Sequence, residues 1–339
     1  MEDLIQIANA MVADGKGILA ADESTPTIGK RFASINVEST EENRNAYRDM
    51  LFSAEGMENH ISGVILFDET LRQSALADGT PFPELLSSKG VLPGIKVDKG
   101  AKPLAGHEGE KVTEGLDGLR ERLAEYSDLG AKFAKWRAVI TIGEDIPSRT
   151  CIEANAHALA RYAALCQETG IVPIVEPEVL MDGVHTIDHC FVETEETLQV
   201  VFEELFKQGV LLEGMILKPN MVISALDCPE QAPVEEVAEA TVECFLRVVP
   251  AAVPGICFLS GGQSDIIATQ HLNAMNSLGV DLPWKLSFSY GRALQAAALQ
   301  AWSGEAANVP AAQEAFLHRA KCNGAATLGE YSEEMEKMG

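Results

Sequence analysis

Residues 213–222, EGMILKPNMV, place a lysine inside a run otherwise built to be buried. Met215, Ile216, Leu217, Met221 and Val222 read as a core strand, with Glu213 and Asn220 able to sit at its ends. Lysine is rare in such surroundings unless a partner neutralises it or a reaction uses it. Lys218 therefore raises two questions at once, which sheet holds the strand and what the amine does there.

Eight runs of this kind lie along the chain, each short, apolar or β-branched and bounded by glycine or proline. They are GKGILAAD, ISGVILFD, LPGIKVD, AKFAKWRAVI, IVPIVEPEVL, LLEGMILKPNMV, VPGICFLSGG and PWKLSFSYG. They begin near residues 15, 61, 92, 131, 171, 211, 253 and 283. The roughly 30 to 45 residues per repeat leave room for a strand, a helix and two loops. Helical patterning fills the gaps. STEENRNAYRDMLFSAEG (39–56) opens with a Ser39/Glu42 capping box, PSRTCIEANAHALARYAALCQETG (147–170) runs from proline to glycine, and APVEEVAEATVECFLRVV (232–249) spaces its apolar residues helically.

Strands apolar nearly throughout suit a parallel sheet covered on both sides. Eight such units fit a closed (β/α)8 TIM barrel better than an open doubly wound sheet, which patterning alone leaves as an alternative. The expected α/β fold carries an extra N-terminal helix and C-terminal helices. No glycine- or proline-rich linker divides the chain, so residues 1–339 read as one barrel domain, with 332–339 a short C-terminal tail. The longest irregular stretch, residues 94–119, falls where a barrel puts a functional loop after its third strand.

The 339 residues are 46% hydrophobic, enough for a large core, and 51 acidic against 26 basic residues give a net charge of −25. Such a field repels nucleic acid and anionic membrane surfaces. An anionic substrate would need the sparse basic residues gathered at its site. The acidic N-terminus MEDLIQIANAMVADG resembles no signal peptide, and no apolar run reaches the roughly 18 to 20 residues that span a bilayer, so the expected location is cytoplasmic. Seven scattered cysteines with no CxxC pair read as small buried hydrophobes.

Barrels of this class gather chemistry at the C-terminal ends of their strands. The polar residues there are Asp22, Asp68, Lys96, Lys135 with Arg137, Glu176 with Glu178, Lys218, Ser260, and Ser289 followed by Arg292. Lys135 and Arg137 are two apart, as are Glu176 and Glu178, so each pair can project to one face. The bland reading is a rim of ion pairs, and convergence at equivalent strand positions weighs against it. LSGG (259–262) precedes the helical SDIIATQHLNAM, and SYGR (289–292) precedes ALQAAALQAW. Both turns offer backbone N–H groups at a helix start after strands seven and eight, the usual phosphate position, with Arg292 as counter-charge.

Two decoys fall away. GKGILA (15–20) fits GxGxxA but reads as a strand after a helix, the reverse of the dinucleotide order. His185 and His189 in HTIDH have zinc-like spacing but no adjacent catalytic glutamate, and the flanking turn residues suggest a solvated loop rather than a long helix. No metal site is expected.

The blocks GILAADESTPTIGKRF, ISGVILFDETL, GIKVDKG, FAKWRAV, IVPIVEPEVLMDG, GMILKPNMV, FLSGGQS and LSFSYGRALQ, in order across nearly the whole chain, resemble class I fructose-1,6-bisphosphate aldolase. The resemblance implies a TIM barrel and a metal-independent lyase of glycolysis and gluconeogenesis that needs no cofactor and cleaves fructose 1,6-bisphosphate. By that likeness Lys218 is the Schiff-base lysine. Burial and a neighbouring ammonium, here Lys135, both favour a neutral nucleophilic amine. The likeness puts Asp22 near the C4 hydroxyl, Glu176 in dehydration and proton transfer, and Glu178 with Lys135 in the supporting network. Ser260, Gly261, Gly262, Gly291 and Arg292 would hold the C1 phosphate, and Ser289 is expected to bind substrate as well. Ser24, Thr27, Arg31, Lys96 and Arg137 match residues around the other phosphate. Pro26 and Thr27 stand where a glycine and a serine are common. Many family members end in a tail with a final tyrosine, whereas this sequence ends YSEEMEKMG; Tyr331 matches a position before that tail. Enamine protonation is therefore expected from another group or from water. The resemblance also implies a homo-oligomer, a tetramer in many members. A Schiff-base aldolase for another phosphosugar and a non-catalytic acidic barrel that binds a protein partner are the alternatives.

Overall fold

A computed structural model describes residues 1–338, with Met338 described through its backbone. Its principal strands are β1 Gly17–Ala21, β2 Ile61–Leu66, β3 Leu92–Lys96, β6 Phe133–Ile140, β7 Val172–Val179, β8 Ile216–Leu217, β9 Gly255–Phe258 and β10 Lys285–Tyr290. These eight close into a parallel barrel in the order β1, β2, β3, β6, β7, β8, β9, β10 and back to β1. Each of the eight runs contributes one strand, and the doubly wound alternative is gone. GKGILA enters β1 directly, so the dinucleotide reading fails as expected. The irregular stretch after β3 folds partly as an antiparallel hairpin, β4 Ala101–Pro103 with β5 Lys111–Thr113. No alternation marks these two three-residue strands in the sequence.

Strand alternation builds two cores. Ile18, Ala20, Ile65, Phe133, Val172, Ile174, Ile216 and Cys257 form one inside the barrel. The odd-even partners Leu19, Ala134, Trp136, Val175, Leu217 and Phe258 face outward into the larger core beneath the helices. The helix Glu2–Met11 caps the inner core with Leu4, Ala8 and Met11, and Ser62 donates to Met11 O at 2.6 Å. One end of the barrel is thereby filled with hydrocarbon, and polar groups are left to the other.

Outside, Phe32, Tyr47 and Trp302 meet with ring centroids 5.3 to 5.6 Å apart. These fully buried rings, each contributing roughly 1.5–3 kcal/mol, lock together the helices Thr25–Ala33, Glu41–Phe52 and Arg292–Trp302. Arg31 and Arg292 are positioned by that contact. The cap of Glu41–Phe52 is Thr40, whose hydroxyl accepts from Asn43 N at 3.1 Å, and the expected Ser39/Glu42 box is not formed. Ser39 is drawn off by Arg44, which donates to its carbonyl at 2.6 Å. HTIDH is corrected too: Thr186 caps a 21-residue helix, Ile187–Lys207, and His185 is buried while His189 faces Glu193 at 3.3 Å. All seven cysteines are buried and unpaired. Among the described residues no helix is long and apolar enough to cross a membrane.

Candidate active site

The inward positions of β1, β6, β7 and β8 turn from apolar to charged at one level. Ile18 and Ala20 are followed by Asp22, Phe133 by Lys135, Ile174 by Glu176, and Ile216 by Lys218. Lys135 Nζ lies 2.7 Å from Asp22 Oδ2 and 3.2 Å from Glu176 Oε2. Lys218 Nζ lies 3.2 Å from Glu176 Oε1, so one carboxylate bridges the two lysine nitrogens. Glu176 Oε2 meets Lys135 in ion-pair contact and, among the described residues, accepts no hydrogen bond. The sequence places an ammonium and burial around Lys218; the carboxylate at hydrogen-bond distance is new.

Burial pushes the Asp22 carboxyl up, but Lys135 and Lys218 outweigh it and bring the value down to about 2. Burial likewise opposes the Lys135 ammonium, and Asp22, Glu176 and Asp98 overcome it, holding Lys135 well above the ordinary lysine range. At neutral pH this pair is therefore a fixed carboxylate and a fixed ammonium.

Above these groups opens a cleft of about 680 Å³. Of the sixteen residues to which the family resemblance gives a role, fifteen line it, and Glu176 lies just below. Seven basic and four acidic side chains face the cleft, so its sign is opposite to that of the chain as a whole. Lys96 pairs with Asp98 at 2.8 Å, and Arg137 Nε donates to Glu178. Ser24 and Thr27 bring their hydroxyls within 3.1 Å of each other at the rim, and Pro26 sits in the first turn, where a missing N–H costs nothing. Ser289 Oγ is buried and has no hydrogen-bond partner among the described residues.

Gly261 and Gly262 have φ of +54° and +104°, in the region glycine alone enters readily, and a Cβ on Gly261 would lie 2.1 Å from Met181 Cε. Among the described residues neither glycine N–H has an acceptor within the chain. The next helix starts only at Asp265, and its first turn is capped by Ser264, which accepts from Ile267 N at 3.2 Å. Here the available donors belong to the loop rather than to the helix end, a correction to the expected geometry. The second turn fits the expectation, with Gly291 directly ahead of the uncapped helix Arg292–Trp302.

Three further points depart from the sequence reading. Asp68 lies outside the cleft and pairs with Arg72 at 3.0 Å, because β2 ends at Leu66 and Asp68 already opens the short helix Asp68–Leu71. Arg31 Nη2 lies 3.6 Å from where a Cβ on Gly291 would sit, closer to the C1 turn than its expected grouping implies. Glu23, Lys30 and Asp182 line the cleft although no sequence pattern marks them. Glu23 pairs with Arg31 and reaches the fully buried Arg48 at 3.5 Å, while Gln295 donates to it at 3.0 Å. Its carboxylate holds the cleft's arginine from behind.

The family model for fructose-bisphosphate aldolase class-I matches residues 3–339. The chain belongs to the class I fructose-bisphosphate aldolase family. A Xanthomonas axonopodis pv. citri protein named probable fructose-bisphosphate aldolase class 1 is 61% identical over 332 residues, covering 98% of this chain and 99% of that protein. Fructose-bisphosphate aldolase 6, cytosolic, of Arabidopsis thaliana is 57% identical, covering 97% of this chain and 92% of its own. A solved structure of the Plasmodium falciparum aldolase, in complex with TRAP and a small-molecule inhibitor, has a TM-score of 0.96 at 50% identity over 98% of this chain and 95% of that one. Each of the eight aldolase-like blocks includes residues of a barrel strand, and all but FAKWRAV extend into the segment that follows it, which in the first, second and eighth reaches into a helix.

Proposed function

We propose that this aldolase cleaves fructose 1,6-bisphosphate reversibly to dihydroxyacetone phosphate and glyceraldehyde 3-phosphate, with Lys218 as the nucleophile. Support comes from one observation above all. Lys218 Nζ, 4% exposed as a residue, sits at the floor of a cationic cleft, 3.2 Å from Glu176 Oε1, whose second oxygen accepts no hydrogen bond among the described residues. The Lys218 amine adds to the C2 ketone, the carbinolamine loses its hydroxyl as water with a proton supplied through Glu176, and an iminium remains. Asp22, ionised at any working pH, accepts the hydrogen bond and then the proton of the C4 hydroxyl. As that proton leaves, the C3–C4 bond breaks, its electron pair moves into the iminium to give an enamine, and glyceraldehyde 3-phosphate departs. Protonation at C3 and hydrolysis of the iminium release dihydroxyacetone phosphate and restore the amine.

Lys135 keeps Asp22 and Glu176 in register, and Glu178 steadies Arg137. The loop N–H groups of Gly261 and Gly262, with Ser260, Ser289, Gly291, Arg292 and the nearby Arg31, suit a phosphate dianion; Ser24, Thr27, Lys96 and Arg137 suit the second. Residues 1–339 are read as one domain, supported by the helix Val309–Ala326 lying against Arg292–Trp302 and Asp265–Asn276. A cytoplasmic location is supported by Arabidopsis relatives named cytosolic. A homo-oligomer is supported by exposed apolar side chains such as Val192, Phe206 and Leu246, and light scattering tests it. The activity itself is tested by coupled detection of triose phosphate from fructose 1,6-bisphosphate, with fructose 1-phosphate alongside. Lys218→Met should abolish turnover of both, and a variant that still turns over either would overturn the assignment.

A further inference from the structure

The helix Val309–Ala326 presents His318 and Cys322 one turn apart, and the C-terminal segment Glu333–Met338 lays Glu336 against them. Cys322 Sγ lies 3.8 Å from His318 Nε2, and His318 Nε2 lies 3.9 Å from Glu336 Oε2. All three donor atoms fall within 4.8 Å of one another. We propose that they hold a single divalent ion of the zinc type, and that this ion clasps the C-terminal segment to the barrel. Donors on a triangle of this size stand roughly 2.4 Å from a common centre, against about 2.0–2.3 Å for zinc with nitrogen, oxygen and sulfur ligands. A contraction of a few tenths of an ångström closes the site. One thiolate, one imidazole and one carboxylate make a ligand set that suits zinc and leaves a fourth position for water.

The surroundings orient the carboxylate as outer partners of metal ligands do. Arg319 donates to Glu336 Oε1 and Oε2 at 2.8 and 2.6 Å, and Tyr331 OH donates to Oε1 at 2.8 Å. Arg319 competes for Oε2, yet a carboxylate oxygen has two lone pairs and can serve both. The charges also balance, since the Cys322 thiolate, Glu336 and Asp265, the last 3.5 Å from Arg319, match a divalent ion plus the guanidinium. None of the three donors lines the catalytic cleft, so the chemistry at Lys218 proceeds without the ion. What the ion fixes is the last turn of the chain. Through Arg319 and Asp265 that turn is tied to the helix following the Gly261–Gly262 loop.

The test is a cobalt(II) titration of the full chain after dialysis against a chelator. A thiolate-to-cobalt charge-transfer band should saturate at one ion per chain and vanish on displacement by zinc. Cys322→Ser should abolish the band, and His318→Ala should weaken binding about tenfold or more, both with turnover retained. No band, a band that survives Cys322→Ser, or an affinity unmoved by His318→Ala overturns the proposal. Hydrogen exchange on the unaltered chain gives a reading that needs no variant. Zinc should slow exchange of the amides in 330–338, and equal exchange with and without zinc overturns it.

Discussion

Lys135→Met removes the ammonium 2.7 Å from Asp22 and 3.2 Å from Glu176 while keeping a long apolar stem in the barrel. In the parent chain, burial raises the Asp22 carboxyl, but the two lysines bring it from 3.8 down to about 2. That difference of roughly two units amounts to about 2.5 kcal/mol in favour of the folded carboxylate. Because the folded value is depressed, this stability is present above about pH 3.8 and is lost as pH falls towards 2. In the variant, Lys218, which Glu176 already shares, and the weaker influence of Lys96 must offset the same burial. Asp22 then titrates above its ordinary value, and its contribution changes sign: present in acid, lost as pH rises.

At pH 7 the variant holds buried carboxylates short of a counter-ion, which costs about 3–5 kcal/mol. Urea unfolding of variant and parent at pH 7 and pH 5 measures this, and the difference between the two proteins cancels the other titrating groups. The penalty should be smaller at pH 5, by up to about 1.4 kcal/mol for each unit by which the Asp22 value in the variant lies above 5. Lys135→Arg, which keeps the charge, should show no such pH dependence. Turnover of Lys135→Met should fall about 10²-fold or more. Equal penalties at the two pH values would refute the argument that Lys135 is what keeps Asp22 ionised.

Gly261→Ala forces a side chain into a left-handed backbone, at about 1–2 kcal/mol, and drives its Cβ against Met181. KM for fructose 1,6-bisphosphate should rise about tenfold with kcat changed much less, and inhibition by inorganic phosphate should weaken in parallel; an unchanged KM contradicts a phosphate role for the loop. Arg292→Ala deletes a charge-assisted contact of about 1.5–3 kcal/mol, so KM should rise roughly 10- to 100-fold, with part of the loss recovered in Arg292→Lys.

The parts of the site carried by strand alternation are legible in the amino-acid sequence. Lys135, Glu176 and Lys218 each follow an inward apolar residue by two, so period-two reasoning puts them on one face and the barrel closes that face on itself. Asp68 shows the limit, because it lies beyond the end of β2, where the chain turns into the short helix Asp68–Leu71 and the alternation no longer applies. Glu23 escapes a sequence reading for the opposite reason. Its neighbour Asp22 holds the inward position, and Glu23 reaches the cleft only because Arg31 and Arg48 converge on it from two helices. No local pattern encodes that meeting.

Helix ends are less legible than helix interiors. Ser39 and Thr40 are both good caps, and the choice falls to Thr40 because Arg44 engages Ser39, a contact set by the packing of one helix against the next. HTIDH looks like a loop because its turn-forming residues are also N-cap residues. Thr186 uses that chemistry to start a helix instead of ending one. In LSGG the glycines stand out, but whether the loop or the helix behind it offers the donors depends on where Ser264 caps that helix.

Everything in the catalytic account depends on a covalent bond between Lys218 Nζ and the ketone carbon of the substrate. Borohydride reduction with dihydroxyacetone phosphate, followed by peptide mapping, tests that bond directly. The account predicts one stable adduct per chain, on the peptide carrying Lys218 and lost in Lys218→Met. An adduct on another lysine, or none while fructose 1,6-bisphosphate is being cleaved, would contradict it.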